Sequence, residues 1–142
     1  MTFPEIIAQL PYGKPFLFVD TLQEISDDHI VGSYTFKKDE YFYKGHFTGR
    51  PVTPGVILTE CMAQIGVVCL GIRLIDGLSA QSKIALVSSE VDFQLPVLPG
   101  ETVWVHSEKE YFRFGKLKCK VKMLNENDEL ICRGTISGML KK

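Results

Sequence analysis

The sequence carries no excess of charge of either sign. Its 142 residues include 16 lysines and arginines against 17 aspartates and glutamates, which gives a formal net charge of −1. Nucleic-acid binding normally depends on a strongly basic surface, so we do not expect nucleic acid as a partner. Because 45% of the residues are hydrophobic, the chain can bury a substantial core, and we expect one domain over residues 1–142.

Cysteine is scarce, and its spacing argues against the common metal sites. The four cysteines show no CxxC motif and no zinc-like cysteine–histidine spacing; they are Cys61, Cys69, Cys119 and Cys132. Each lies in an apolar segment, which is typical of buried thiols in a reducing compartment. The first ten residues also lack the basic start and long apolar core of a secretory signal. We therefore expect a cytoplasmic protein without a metal site.

Long apolar runs are rare as well. Only residues 56–75 approach the length that crosses a bilayer. Glu60, Gln64 and Arg73 lie inside this run, and ionisable groups at membrane depth are costly without partners. The run therefore predicts a buried core helix and no membrane insertion.

Capping residues mark the ends of this predicted helix. Thr53 is a good N-cap, Pro54 is a good first helical residue, and Asp76–Gly77 is a natural stop. Apolar residues surround the helix almost completely, so we expect other structure to wrap around it.

Six segments are predicted to be strands, because turn residues separate stretches rich in β-branched and aromatic residues. From Lys116 to Met123, lysines alternate with apolar residues, which indicates a sheet with one wet face. A short helix over residues 3–9, which begins with a capping box, precedes the strands. The strand segments are 16–25, 29–38, 83–97, 101–114, 116–125 and 129–140. This order predicts an α+β fold in which a curved antiparallel sheet wraps around a central helix.

The long helix carries a single carboxylate between Gly55 and Ile75. Gln64 follows Glu60 by four residues and hence lies on the same helical face. A carboxylate that faces a core needs a partner or a cavity, and burial raises its pKa toward that of a general acid. Glu60 is therefore a candidate catalytic acid. The alternative is that it points to an exposed stripe of the helix and has no role.

Of the three histidines, only one lies in a stiffened loop. His46 is framed by glycines and prolines in the segment GHFTGRPVTPG, residues 45–55. A backbone held in one shape suits a functional site, which makes His46 a candidate general base. The alternative is a packing role among the neighbouring aromatic residues. His29 and His106 lack this framing and are expected to be structural or surface residues.

Gly55 stands beside the predicted start of the long helix. Free N–H groups and the positive end of the helix dipole favour a developing oxyanion there, and glycine permits close approach of a carbonyl group. The segment thus offers a base, an acid and an oxyanion site. A plain helix start is the alternative explanation of the Pro54–Gly55 pair.

These residues resemble a known family. The stretch GHFTGRPVTPGVILTECMAQIG, residues 45–66, is similar to the pattern GHFPGxPxxPGVLxxEAMAQ of the 3-hydroxyacyl-[acyl-carrier-protein] dehydratases of fatty-acid synthesis. LPYGKPFLFVD near the start resembles their LPHRYPFLLVD, and VDFQLPVLPGE resembles their xRFxRPVxPGD. The three blocks fall in the family's order, so the resemblance covers almost the whole chain.

The resemblance implies a hotdog fold, in which a bent antiparallel sheet wraps a long helix and two copies join into a homodimer. It places the active site between the copies, with His46 of one copy facing Glu60 on the helix of the other. The Gly55 amide would bind the thioester carbonyl, and Gln64 would orient Glu60. Candidates for the lining of the acyl tunnel are Tyr41, Phe42 and Phe93.

The implied reaction removes water from a 3-hydroxyacyl thioester attached to an acyl carrier protein. His46 would take the proton alpha to the thioester, and Glu60 would protonate the departing hydroxyl to leave a trans-2-enoyl thioester. No metal or redox cofactor is implied. Because a sister group that isomerises the product carries aspartate at the position of Glu60, we expect no isomerisation.

The sequence departs from the family pattern at three places. Thr48 replaces the usual proline after His-Phe, and Tyr12-Gly13 replace a histidine–arginine pair. Gln94-Leu95 stand where the family often has basic residues that help to hold the acidic carrier. The lysines of residues 116–122, with Arg113, offer another basic face for the carrier, or a solvated sheet edge that resists aggregation. These departures leave open a dedicated polyene or polyketide-like pathway beside general fatty-acid synthesis.

Two other functions stay open from the sequence alone. A hotdog acyl thioesterase would use Glu60 to activate water, and a non-catalytic acyl-binding subunit would pair with an active partner. The sequence does not indicate the preferred acyl length, nor whether dimers assemble further into a trimer of dimers.

Overall fold

The computed structural model describes residues 1–76 and 83–141. Its central helix, Gly55–Leu74, consists of α2 (Gly55–Ala63), a π-helical segment (Gln64–Cys69) and α3 (Leu70–Leu74). The other elements are α1 (Phe3–Ala8), β1 (Thr21–Ile25), β2 (His29–Thr35), a 3₁₀ turn (Tyr41–Lys44), β3 (Lys83–Phe93), β4 (Thr102–Arg113), β5 (Lys116–Leu124) and β6 (Leu130–Lys141).

The six strands form one antiparallel sheet in the order β1-β2-β4-β5-β6-β3. The alternation in β5 is confirmed, because Leu117, Cys119, Val121 and Met123 are buried and the lysines between them are more exposed. Strands β2, β4, β5 and β6 all contact the π-helical segment of the central helix. The apolar face of the sheet therefore closes around the helix, as the α+β prediction requires.

The central helix is buried inside the sheet. Its length and composition alone would allow it to cross a membrane, but 78% of its most apolar 18-residue window is buried within the fold. The Ser107 hydroxyl on β4 donates a hydrogen bond to the Gly66 carbonyl at 2.9 Å. A β-carbon at Gly66 would lie 3.0 Å from Cβ of Ser107, so glycine lets helix and sheet approach closely here.

The predicted strand over residues 16–25 is wrong in its first half. Strand β1 covers only Thr21–Ile25. The Phe18 N–H donates to Oε1 of Gln64 at 2.8 Å, and the Phe16 carbonyl accepts from Nε2 of the same side chain at 2.9 Å. The backbone of this segment thus bonds to the central helix instead of extending the sheet.

The central helix ends slightly before its predicted stop. Its last helical residue is Leu74, and Ile75 is the C-cap. Asp76 adopts a left-handed φ of 55° that ends the helix, while Gly77 lies outside the described residues.

Strand β3 forms one edge of the sheet. Its 11 residues pair with β6 on one side, and within residues 1–76 and 83–141 no strand covers its other side. Leu86, Val87 and Phe93 are about half exposed along it, at 57%, 51% and 49%. A long edge strand with exposed apolar side chains is a template for pairing with another chain.

Candidate active site

His46 is fixed by its loop through three hydrogen bonds. Its N–H donates to the Phe42 carbonyl at 3.0 Å, and its carbonyl accepts from the Val52 N–H at 2.9 Å. Its ring nitrogen Nδ1 lies 2.9 Å from the Val52 carbonyl oxygen. A carbonyl can only accept, so in the neutral ring Nδ1 carries the proton and Nε2 has the lone pair. The half-buried imidazole, stacked on the Phe47 ring at a 4.1 Å centroid distance, is thus in the tautomer of a base.

The predicted helix cap at Thr53 is wrong by one residue. Pro54 is the N-cap, and the helix begins at Gly55. The buried Thr53 hydroxyl instead pairs with the Tyr43 hydroxyl at 2.6 Å. This bond joins the end of the loop that contains His46, residues 45–54 and called the histidine loop below, to the 3₁₀ turn before it.

The N-terminus of the central helix presents free backbone donors. The Pro54 carbonyl accepts hydrogen bonds from the N–H groups of Ile57 and Leu58. The N–H groups of Gly55 and Val56 have no acceptor among the described residues, and no side chain caps the helix. Such donors, at the positive end of the helix dipole, suit an oxygen that gains negative charge.

Glu60 lies five residues, or about 1.4 turns, further along the helix. Its half-buried carboxylate accepts a hydrogen bond from Nε2 of Gln64 at 3.0 Å. Burial raises the pKa of Glu60, while the bond from Gln64 acts in the opposite direction by stabilising the charged form. A carboxyl group with a raised pKa can hold a proton and deliver it.

Gln64 connects Glu60 to the segment before β1. The side chain is fully buried, and all of its polar atoms are bonded: Oε1 accepts from the Phe18 N–H, and Nε2 donates to the Phe16 carbonyl and to Glu60. A buried amide with three bonds has little freedom to rotate. The spacing of Glu60 and Gln64 predicted their contact, but the bonds to residues 16–18 join distant parts of the chain.

The three residues predicted to line the tunnel take different positions. Tyr41 is 49% exposed, and Phe42 packs against the core. The Phe93 ring lies over Gly55, where a β-carbon would be 3.1 Å from its Cζ. None of the three lines the small apolar cavity that opens beside Glu60.

That cavity, of about 30 Å³, is bounded by apolar side chains of the central helix, β3 and β6, with Tyr12 and Glu60 as its polar members. Burial and the nearby Glu60 carboxylate raise the pKa of Tyr12 to about 12, so the phenol stays protonated at neutral pH. Sequence analysis identified Tyr12 only as a departure from the family pattern. The residues around Tyr12 give no sign that it lies near Glu60 on the helix.

Within one chain, the two candidate catalytic side chains do not meet. No hydrogen bond or ion pair joins His46 to Glu60 in the described part of the chain, and His46 does not line the cavity beside Glu60. His29 bonds to the Ser26 hydroxyl at 2.8 Å, and His106 lies on β4 with a pKa lowered mainly by burial. Neither is near the histidine loop in sequence or in hydrogen bonding.

A metal centre finds no support in the described residues. They contain no group of three or more histidine, cysteine, aspartate or glutamate side chains that could hold a metal ion. The four cysteines are free thiols and are buried, as the apolar segments around them predicted.

Replacing Gln64 by leucine is expected to move the pH dependence of the reaction. The bond from Gln64 lowers the pKa of Glu60, so its loss raises that pKa further. If protonated Glu60 is the required form, the alkaline limb of the kcat/KM profile moves to higher pH. We also expect kcat to fall by about tenfold, since Glu60 loses its orienting partner.

The matched control is Cys61→Ala. The Cys61 thiol also bonds to this segment, at the Phe18 carbonyl, but makes no hydrogen bond to the Glu60 carboxylate. An equal shift of the alkaline limb in both variants, or none in Gln64→Leu, would mean that Gln64 only holds the segment in place.

The fold and the site define the class of protein. A bent antiparallel sheet around one buried helix, with a histidine loop leading into that helix, is the architecture of a hotdog domain. The chain also matches the FabA-like domain family over residues 10–135. It therefore belongs to the FabA-like family, and the hotdog fold and the family resemblance predicted from the sequence are confirmed.

Its curated relatives are dehydratases. The chain is 38% identical over 125 residues to the 3-hydroxyacyl-[acyl-carrier-protein] dehydratase FabZ of Herpetosiphon aurantiacus, a match that covers 84% of this chain and 86% of that protein. It is 40% identical over 106 residues to the bifunctional enzyme LpxC/FabZ of Porphyromonas gingivalis. That match covers 72% of this chain but only 22% of the bifunctional enzyme.

A solved structure supports the fold independently. The dehydratase heterocomplex ApeI:P from Xenorhabdus doucetiae superposes with a TM-score of 0.79, covering 96% of this chain and 91% of that chain. Because the identity is 13%, this likeness concerns the fold alone.

Proposed function

We propose that the protein dehydrates 3-hydroxyacyl thioesters attached to an acyl carrier protein and releases trans-2-enoyl thioesters. The FabZ dehydratases that it resembles support this reaction. The observation that carries the proposal is that one candidate group can accept a proton and the other can hold and donate one. His46 has a free Nε2, and Glu60 has a raised pKa beside a bonded amide.

Proton removal falls to His46. The proton alpha to a thioester is weakly acidic, so its removal needs a positioned base and stabilisation of the enolate-like oxygen. Nε2 of His46 accepts the proton, while the bond from Nδ1 to the Val52 carbonyl holds the ring in position. The N–H groups of Gly55 and Val56 donate hydrogen bonds to the thioester oxygen and stabilise the negative charge that develops on it.

Glu60 assists the departure of the hydroxyl group. Hydroxide is a poor leaving group, and its protonation by Glu60 converts it into water as the carbon–oxygen bond breaks. Gly55 precedes Glu60 by five residues, or about 7.5 Å of helix, so the two groups address different atoms of one substrate. Because the acid is glutamate, the trans product is released without isomerisation to a cis-3-enoyl thioester.

A second copy of the chain completes the site. Among the described residues of one chain, no hydrogen bond or ion pair joins His46 to Glu60, and β3 offers a long exposed edge with apolar side chains. Antiparallel pairing of two β3 edges would continue the sheet across both copies and bury those side chains. His46 of one copy would then face Glu60 of the other. Further assembly into a trimer of dimers stays a prediction.

The carrier protein brings the substrate, which agrees with a cytoplasmic enzyme of fatty-acid or polyene-like synthesis. The lysine row of β5 is one candidate docking face for the carrier. Lys118 and Lys120 lie 3.6 and 3.8 Å from Glu110, which partly offsets their charge. Lys116 and Arg113 remain near Tyr111, with their cations over its ring.

The proposal is tested with purified protein and 3-hydroxyacyl carrier substrates of several chain lengths. We expect an increase in enoyl absorbance and no release of free carrier thiol. Thiol release without enoyl absorbance would identify a thioesterase instead. A folded dimer that forms neither product at any chain length would favour a non-catalytic acyl-binding subunit and contradict the proposal.

A further inference from the structure

Two small apolar cavities follow one another along the central helix. The first, of about 30 Å³, opens beside Glu60 and is bounded by Val67 on the helix. The second, of about 10 Å³, lies further along at Gly71. Ile84 on β3 and Gly138 on β6 line both cavities, so they form the boundary between them.

The Ile84 side chain fills this boundary, and two glycines make room for it. A β-carbon at Gly71 would lie 2.5 Å from Cδ1 of Ile84, and one at Gly138 would lie 2.8 Å from its Cγ2. Real β-carbons essentially never approach other atoms so closely, so any side chain at either glycine would displace Ile84. The half-buried isoleucine is therefore seated between the helix and β6 and separates the two cavities.

The cavities lie in the direction that an acyl tail would take. The thioester oxygen belongs at the helix start near Gly55, and the leaving hydroxyl belongs at Glu60. The remaining carbons point onward past Val67 toward Gly71, which is about 16 Å of helix beyond Glu60. Apart from Tyr12 and Glu60, the first cavity has an entirely apolar lining, as a saturated tail requires.

We infer that Ile84 sets the length of the acyl chain that the enzyme accepts, because it closes the first cavity against the second. This inference rests on the proposed dehydratase function. With Ile84 in place, the end of an acyl tail that reaches the first cavity meets the isoleucine, so longer tails are excluded. Without it, the space continues toward Gly71 and Gly115.

The test compares kcat/KM of the unmodified enzyme and Ile84→Ala for carrier-bound 3-hydroxyacyl substrates of increasing even chain length. One methylene in an apolar pocket changes the rate by about tenfold or more, so a steep decline beyond one length is expected in the unmodified enzyme. In Ile84→Ala the decline should begin at least two carbons later. The first rejected substrate should gain at least about tenfold, with the shortest one changing by less than about threefold.

Two further variants keep the test decisive. Ile84→Val removes only the carbon that faces Gly71 and should give a smaller shift in the same direction, even if the alanine variant folds poorly. Val87→Ala truncates an exposed side chain of the same strand that lines neither cavity, and it should keep the original length profile.

The outcomes separate the inference from the proposed function. An active unmodified enzyme whose relative length profile is unchanged by Ile84→Ala and Ile84→Val would overturn the role of Ile84 alone. An unmodified enzyme that dehydrates no substrate would refute the dehydratase function itself.

Discussion

Replacing His46 by alanine is expected to lower kcat/KM for a 3-hydroxyacyl carrier substrate by about 10³-fold. The imidazole donates a hydrogen bond from Nδ1 to the Val52 carbonyl, and residues 45–54 contain no other histidine and no carboxylate. The half-buried ring is held by backbone bonds that alanine also makes, so the fold should survive. Enoyl absorbance measures the rate, and circular dichroism checks the fold.

His29→Ala is the matched control for this substitution. His29 lies at the start of β2 and bonds to Ser26, so its loss should leave turnover within about twofold. If the His46 variant retained most of its activity, or if both variants lost it equally, His46 would not be the base.

Replacing Glu60 by glutamine is expected to cost a similar factor, about 10³-fold in kcat. The substitution keeps the size of the side chain and an oxygen that can accept the bond from Gln64. It removes the proton that the leaving hydroxyl needs. Because substrate binding depends little on that proton, KM should change much less than kcat.

The same variant has an expected effect on stability that distinguishes catalysis from folding. The pKa of Glu60 is raised in the folded state, so the folded chain binds this proton more readily than the unfolded chain does. That contribution to stability is fully present below the unfolded pKa and is lost as pH rises through the folded pKa. At neutral pH, Glu60→Gln should therefore unfold at the same temperature as the unmodified protein or a higher one.

Glu126→Gln, an exposed substitution in the turn between β5 and β6, is the control for charge removal. It should leave turnover unchanged. A Glu60 variant that unfolds at a much lower temperature would mean that its lost activity reports a damaged fold.

Periodicity and turn residues predicted most of the architecture. The alternation of lysines with Leu117, Cys119, Val121 and Met123 determined which face of β5 is buried, and the apolar run around Glu60 determined the buried helix. Both signals arise from neighbours close in sequence, where the helical and strand repeats apply directly. The resemblance of the central block supplied the fold and the roles expected of His46 and Glu60.

The missed features depend on contacts between distant segments. Residues 16–20 have strand composition, yet Gln64 binds their backbone more than forty positions away along the chain. Thr53 has the side chain of an N-cap, but a bond to Tyr43 takes its hydroxyl. Nothing in the sequence around Gly71 or Gly138 indicates that both glycines make room for Ile84. Local propensity cannot predict such partners, because they form only when the chain folds.

The most direct test of a site shared between two copies of the chain mixes two inactive variants. Subunits of His46→Ala and Glu60→Ala, exchanged at equal concentrations, should form mixed dimers in which one of the two sites has both groups intact. Random pairing would restore about a quarter of the unmodified rate. No recovery from verified mixed dimers would show that the two groups do not act across the interface between copies, and the proposed site would be wrong.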